Sequence, residues 1–155
     1  MAAGGGGNAV TSRYGLEIRA ATPAEAAGLA ELLGGGLDPR LLAERLAALQ
    51  QSPGAALIAV DWGPPSGLIV LHWYRSLGAA QPIAQVTTLL VRPEDRRRGI
   101  GRLLLKAAAQ AARSAGCGTL ELLAPVEAPA LGDFCRATGF AQTGTGFVRP
   151  LRKGA

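Results

Sequence analysis

The sequence predicts an α/β (α+β) domain built on a mixed, mostly antiparallel sheet, and three observations support this prediction. The chain has 155 residues, 48% of them apolar and 17% charged, which suits one compact domain with a core. Apolar runs of strand length alternate with segments of helical periodicity in the order β-α-α-β-β-β-α-β-α-β-β. A buried strand at 86–91 also leads through a turn rich in arginine and glycine into a strong helix-forming segment.

The chain begins with a glycine-rich stretch, a strand and a helix. Residues 1–14 are rich in glycine, so we predict a disordered tail followed by a single domain at 15–155. Residues 16–20 alternate apolar and polar side chains, which is typical of a strand. Thr22 and Glu25 have the spacing of a capping box, and the helix that they predict extends to about residue 33.

A second helix and a hairpin follow. The Asp38-Pro39 pair predicts a helix start, and the helix extends to about residue 50. Four leucines recur on this helix at helical spacing and predict its buried face: Leu41, Leu42, Leu46 and Leu49. Apolar runs at 55–60 and 67–75 flank a proline-rich turn and predict an antiparallel hairpin.

The second half is organised around the strand at 82–91 and the helix at 100–115. Apolar residues at helical spacing predict the face of this helix that packs on the sheet: Ile100, Leu103, Leu104, Ala107, Ala108, Ala111 and Ala115. A strand at 119–123 is parallel to the strand at 82–91 if the helix forms a right-handed crossover. The remaining predicted elements are a helix at 129–137 and a closing antiparallel strand pair at 140–143 and 147–151.

The turn between the strand and the helix has the chemistry of an anion site. The first amides of a helix lack intrahelical acceptors, and the helix dipole adds positive charge there. Gly99 and Gly101 let a ligand approach the backbone, and arginines surround them at Arg96, Arg97, Arg98 and Arg102. A phosphate or diphosphate is the expected ligand. Neither a Walker A loop nor a complete dinucleotide-binding fingerprint is present.

The motif that does match is Arg-x-x-Gly-x-Gly at 96–101, after a strand that ends in Val-x-Pro at 91–93. This segment resembles the acyl-CoA-binding motif of the GCN5-related N-acetyltransferase superfamily, and the element order covers nearly the whole chain. The resemblance implies an acyl-CoA N-acyltransferase fold with helices on both faces of the sheet. It also implies acetyl-CoA as cosubstrate.

The resemblance further implies which residues bind the cosubstrate. The backbone of Leu89, Leu90 and Val91 would bind the pantetheine and the acetyl carbonyl. Arg96 and the amides from Arg97 to Arg102, including Gly99, Ile100 and Gly101, would bind the diphosphate. The acetyl group would pass directly from the thioester to a primary amine of a small molecule or a protein.

At the catalytic positions this chain departs from the pattern of the family. In the family a tyrosine acts as the general acid at the position where this chain has Cys135. A thiol can also protonate a leaving thiolate. Core packing is nevertheless the commoner role of a lone cysteine. The family's catalytic glutamates are replaced by Gln85 and Leu123, and Ala128 replaces an asparagine that contacts the cofactor.

Two residues stay open as candidate bases, namely Glu121 on a strand and His72, the single histidine. A strand carboxylate such as Glu121 is as often a paired structural charge, and a lone strand histidine is usually a structural or surface residue. An amine that arrives neutral needs no base, and we favour that hypothesis.

Composition limits the other functions. The net charge is +5 and the isoelectric point near 10.0, but no aromatic residue lies within the basic cluster, which disfavours nucleic acid as a partner. Two cysteines, no metal-binding spacing, no signal sequence and no spanning apolar run predict a reduced, cytoplasmic protein without a metal or a membrane partner. A non-catalytic acyl-CoA-binding or regulatory module is the alternative function, and a homodimer stays open.

Overall fold

The structure, a computed structural model, describes residues 10–11, 15–125, 127–144 and 146–151. The chain divides into two compact units, residues 1–121 and 122–155. The prediction that 15–155 form a single domain therefore stays a prediction. Among the described residues, no helix is both long enough and apolar enough to cross a bilayer.

A mixed sheet forms the centre of the first unit, and its strands follow one another in chain order. The strands are β1 (Val10–Thr11), β2 (Glu17–Ala20), β3 (Gly54–Val60), β4 (Gly67–Tyr74), β5 (Ile83–Val91) and β6 (Thr119–Leu122). Each pair from β1 to β5 is antiparallel. The amide of Gly118 donates to the carbonyl of Pro82 over 3.0 Å. Because these residues immediately precede β6 and β5, the two strands begin at the same end and run parallel, as predicted.

Three helices accompany this sheet and one lies in the second unit. They are α1 (Ala26–Leu32), α2 (Pro39–Gln50), α3 (Ile100–Ser114) and α4 (Pro129–Ala137). Local signals set their starts: Thr22 and Glu25 form the predicted capping box before a 3₁₀ turn, and Asp38 accepts a 2.9 Å hydrogen bond from the Arg40 amide. All four helices lie where the sequence predicts them.

Helices pack on both faces of the sheet, which confirms the predicted fold class. Leu68 and Val70 of β4 belong to the core cluster that α1 and α2 complete. Gly67 faces the other side, because a Cβ atom there would lie 2.9 Å from Cδ1 of Leu104 on α3. Side chains alternate along a strand, so β4 contributes one set of residues to each layer.

Two helix faces differ from prediction. The buried stripe of α3 consists of Ile100, Leu104, Leu105, Ala108 and Ala112. The predicted Leu103, Ala107, Ala111 and Ala115 are only half-buried, because they lie along the flank of that stripe. On α2, Leu42 and Leu46 are buried, but Leu41 is 48% exposed and lies outside the apolar face.

The two ends of the chain also differ from prediction. Val10 and Thr11 pair with β2, so the predicted disordered tail is wrong for these two residues, and 1–9 and 12–14 lie outside the described ranges. The closing strands predicted at 140–143 and 147–151 are not found in the described residues. Positive φ values at Gly139 and Gly144 interrupt the extended backbone. Phe147 and Val148 are at least 94% exposed, so the strand propensity of these residues is not supported by packing against another part of the protein.

Candidate functional site

The β5–α3 loop, residues 92–99, has an unusual backbone. Pro93 begins a 3₁₀ turn that ends the strand, and α3 starts at Ile100. Arg97 has φ 67° and Gly99 has φ 76°, so two residues close together adopt the left-handed conformation. Arg97 is the one residue other than glycine with positive φ among those described. Such turns direct successive amides into one concavity, where an anion binds, and strain of this kind concentrates at functional sites.

A continuous row of amides at this loop finds no acceptor within the described part of the chain. The row consists of the N–H groups of Arg97, Arg98, Gly99, Ile100, Gly101 and Arg102. The first helical hydrogen bond runs from the Leu103 amide to the Gly99 carbonyl, 3.1 Å. No side chain of the described residues accepts from these amides either. Unpaired donors at the N-terminus of a long helix fit a diphosphate.

The arginine side chains divide into two kinds. Arg98 donates to Asp61 over 3.2 Å and to Asp95 over 2.9 Å, and these hydrogen bonds, the one to Asp61 first, raise its pKa. Arg96 makes only a long contact, 3.4 Å, from Nε to the Val91 carbonyl. Arg97 is exposed and has no carboxylate partner within the described ranges. The predicted basic cluster is therefore present, but Arg98 is held by carboxylates.

The edge of β5 beside β6 provides unpaired peptide groups. The Arg92 amide donates to the Ser66 carbonyl over 2.8 Å, which continues the pairing with β4. Because peptide groups alternate in direction along a strand, Val91 and Leu89 point away from β4. β6 has only four residues and starts beside the beginning of β5, where the Gly118 amide donates to the Pro82 carbonyl, so it ends before it reaches Leu89. The amides of Leu89 and Val91 therefore face an open edge.

A β-bulge in β5 interrupts the sheet near its middle. Val70 pairs with Thr88 whereas the next residue, Leu71, pairs with Val86, so Thr87 is the extra residue. The Thr87 hydroxyl lies 3.2 Å from Nε2 of the half-buried His72. Bulges re-aim side chains at functional sites. The sequence analysis did not identify Thr87, because a bulge depends on the register with another strand.

Tyr74 connects the other candidate base to this region. His72 and Tyr74 lie on the same face of β4, two residues apart. The Tyr74 hydroxyl donates to Oε2 of Glu121 over 3.4 Å, and desolvation together with the Glu121 charge raises the pKa of Tyr74. Glu121 is otherwise exposed. The structure thus places His72 and Glu121 beside the same face of β4. Tyr74 also belongs to this group of polar residues, and the sequence analysis did not identify it.

Cys135 lies on α4, in the second unit. Its side chain is half-buried, and burial raises the pKa of the thiol, partly offset by the positive charge of Arg136. The thiol is therefore protonated at neutral pH, as an acid must be before it donates. Both Cys135 and Cys117 are free cysteines. The catalytic role of Cys135 stays a prediction from the resemblance.

Comparison with known proteins identifies the class. Residues 29–140 match the family model described as Acetyltransferase (GNAT) family. The structure also resembles a putative acetyltransferase from Agrobacterium tumefaciens str. C58, with TM-score 0.76, 30% identity, and coverage of 86% of this chain and 99% of that one. The chain belongs to the GNAT acetyltransferase family. No curated protein sequence matches it significantly.

Two further solved structures share the fold at lower identity. One is the aminoglycoside N-acetyltransferase AAC(6')-Iy in complex with CoA, with TM-score 0.78, 19% identity, and coverage of 92% of this chain and 99% of that one. The other is an aminoglycoside acetyltransferase from an uncultured soil metagenomic sample in complex with sisomicin. It has TM-score 0.73 and 18% identity, and the alignment covers 89% of this chain and 97% of that one.

Proposed function

We propose that this chain is an N-acetyltransferase that moves an acetyl group from acetyl-CoA to a primary amine. The observation that supports the proposal most directly is the row of unpaired amides from Arg97 to Arg102 at the start of α3. These donors would bind the diphosphate of coenzyme A, with Arg96, Arg97 and Arg102 adding positive charge. Binding through the backbone depends on φ and ψ more than on the side chains around the site.

The open edge of β5 would bind the rest of the donor. The pantetheine carries amide groups, which suit the unpaired peptide groups of Leu89 and Val91. The Val91 amide points away from β4 and would donate to the thioester carbonyl oxygen. Such a donor stabilises the negative charge that develops as the carbonyl is attacked.

The reaction would proceed by direct transfer. The nitrogen of a neutral amine attacks the thioester carbon, a C–N bond forms, and the C–S bond breaks. The amine nitrogen loses one proton and the coenzyme A thiolate gains one. Cys135 is the candidate donor of that second proton, as the resemblance implies, and its protonated thiol is in the required state.

The acceptor would approach the polar face of β4. His72, Thr87, Tyr74 and Glu121 contribute imidazole, hydroxyl and carboxylate groups there. Neither His72 nor Glu121 is buried or held by strong contacts, so we favour an amine that arrives neutral over a dedicated base. Because two structural neighbours are aminoglycoside acetyltransferases, a small-molecule amine is the first acceptor class to test, before a protein amino group.

A non-catalytic acyl-CoA-binding module is the second candidate. The specific observation in its favour is the loose polar contact at the proposed acceptor face, where Tyr74 and Glu121 are 3.4 Å apart. A binding module would retain the amide row and need no proton transfer.

Thiol release in a panel of amines tests the two candidates together. We expect purified protein to bind acetyl-CoA in a calorimetric titration and to release coenzyme A faster when an amine is added. Binding without amine-dependent release would leave the regulatory module as the function. No binding at saturating acetyl-CoA would refute both candidates.

A further inference from the structure

The turn between β3 and β4, residues 61–66, contacts both ends of the β5–α3 loop. At the beginning of the loop, Arg92 donates through its guanidinium to the Pro65 carbonyl over 2.8 Å and through its amide to the Ser66 carbonyl over 2.8 Å. At the other end, Arg98 pairs with Asp61 over 3.2 Å. The two arginines therefore attach the loop to a single turn on either side of the left-handed Arg97.

The turn itself is well supported. Ser66 is buried, and its amide and hydroxyl both donate to the Ala59 carbonyl. Pro65 packs against Gly28 of α1, where a Cβ atom would lie only 2.8 Å from the proline Cδ. A proline pair restricts backbone motion, and the close approach of α1 restricts it further. The turn is thus a fixed point to which the loop is attached.

Asp61 is partly shielded from solvent and hydrogen-bonded beyond its ion pair. Its Oδ1 accepts from the Trp62 amide over 2.6 Å, while Oδ2 contacts Arg98. These contacts lower the pKa of Asp61, the Trp62 amide first, so the carboxylate is charged over the neutral range. Arg98 also contacts Asp95 of its own loop over 2.9 Å, so its guanidinium bridges the loop and the turn.

We propose that Asp61 and Arg98 are positioning residues for the proposed acyl-CoA site: the Arg98 guanidinium joins the loop to the β3–β4 turn and does not bind the diphosphate, whereas the Arg98 amide remains part of the row. The pair would hold the backbone from Arg97 to Gly99 in the arrangement that aligns the amides. This proposal assigns a role to Asp61, which is 37 residues away from Arg98 in sequence. The proposal rests on the proposed function, because the loop that the pair positions would bind the diphosphate of coenzyme A.

The two possible roles of Arg98, phosphate ligand or positioning residue, predict opposite effects of Asp61→Asn on the binding of coenzyme A. If Arg98 were a phosphate ligand, Asp61→Asn would release it and remove a nearby negative charge, so an anion would bind more tightly. If the pair positions the amides, the same substitution loosens the loop and the anion binds more weakly. Ion pairs of this kind are weak, because solvent screens the two charges. We therefore expect coenzyme A to bind about three- to fivefold more weakly.

Calorimetric titration of coenzyme A at several salt concentrations tests the proposal. We expect Asp61→Asn and Arg98→Gln to weaken binding by similar factors, and the double variant to be no weaker than either single variant. The salt dependence of binding should match wild type, because no phosphate contact is lost. Asp61→Glu should restore most of the affinity. Asp133→Asn, which breaks the 2.8 Å pair with Arg136 on α4, is the matched control and should bind like wild type.

Two outcomes would overturn the proposal in distinguishable ways. If wild type binds coenzyme A and Asp61→Asn binds equally or more tightly, Asp61 does not position the loop, and the proposed function survives. If wild type does not bind coenzyme A, the proposed function fails and the role of the pair fails with it. Thermal unfolding of each variant without ligand identifies any variant that has lost its fold. If Asp61→Asn is one of them, Arg98→Gln tests the proposal: weaker binding with an unchanged salt dependence supports positioning, and a shallower salt dependence would make the Arg98 guanidinium a phosphate ligand.

Discussion

The donor side and the acceptor side of this protein are built differently. The β5–α3 loop and the edge of β5 present mainly backbone amides, six of which are consecutive and unpaired within the described residues. The polar face of β4 presents side chains, with single contacts of 3.2 Å and 3.4 Å. A backbone site depends on φ, ψ and glycine, whereas a side-chain site depends on residue identity. The first can persist when a sequence diverges, and the second can change with the acceptor.

Gly99→Glu should have the largest effect, because it acts on the backbone site in two ways. A side chain at φ 76° is strained by about 1–2 kcal/mol, and a carboxylate would repel the diphosphate. We expect acetyl-CoA binding to weaken by about 100-fold or more, measured by calorimetry. Gly116→Glu is the matched control at the other end of α3, with φ 86° and open space around the site of its Cβ. It should lower the melting temperature and preserve binding. Equal binding by both variants would refute the donor site.

Cys135→Ala should have the next largest effect, on kcat rather than on the binding of acetyl-CoA. A general acid contributes about 100-fold or more to the rate, so kcat should fall by about that factor while the KM for acetyl-CoA stays unchanged. Burial raises the pKa of the Cys135 thiol, so wild-type activity should decline only at alkaline pH, above the range where an ordinary thiol loses its proton. Cys117→Ala is the control, since burial also raises the pKa of that thiol. An unchanged kcat in Cys135→Ala would assign the proton to solvent.

Arg96→Gln should weaken the donor site moderately, because the amides remain. A charge-assisted hydrogen bond from an exposed side chain is worth about 1.5 kcal/mol, the low end of its range, so we expect roughly tenfold weaker acetyl-CoA binding. The salt dependence of binding should also become shallower, since one charge no longer acts on the diphosphate. Arg113→Gln, in the last turn of α3, should change neither quantity. If the salt dependence of Arg96→Gln were as steep as that of wild type, another arginine would make the phosphate contact.

His72→Gln and Glu121→Gln should have the smallest effects, within about threefold on kcat, if the amine arrives neutral. A true general base would contribute about 100-fold. The rate should rise with pH up to the pKa of the acceptor amine, and an acceptor with a lower pKa should shift that rise by the same amount. Paired pH profiles of two such amines with wild type and both variants provide the measurement. A rise that disappears in either variant would identify that residue as the base.

Local signals made most of the elements predictable. The capping box at Thr22 and Glu25, the Asp38-Pro39 start and the strand before Pro93 each depend on a few neighbouring residues, and all were confirmed. The predicted strands at 140–143 and 147–151 were wrong within the described residues, because a strand also needs a partner. The sequence of Phe147 and Val148 favours a strand, but their side chains pack against nothing, with at least 94% exposed.

The sequence alone determined the helices, the hairpin and the position of the row of amides, because glycine, proline and arginine act on the backbone next to them. Only the tertiary structure decided that Arg98 is held by Asp61, that Thr87 forms a bulge, and that Tyr74 contacts Glu121. Each of these depends on strand register or on a contact between distant residues. Such contacts form when strands pair and helices pack on them, and no short stretch of sequence specifies them.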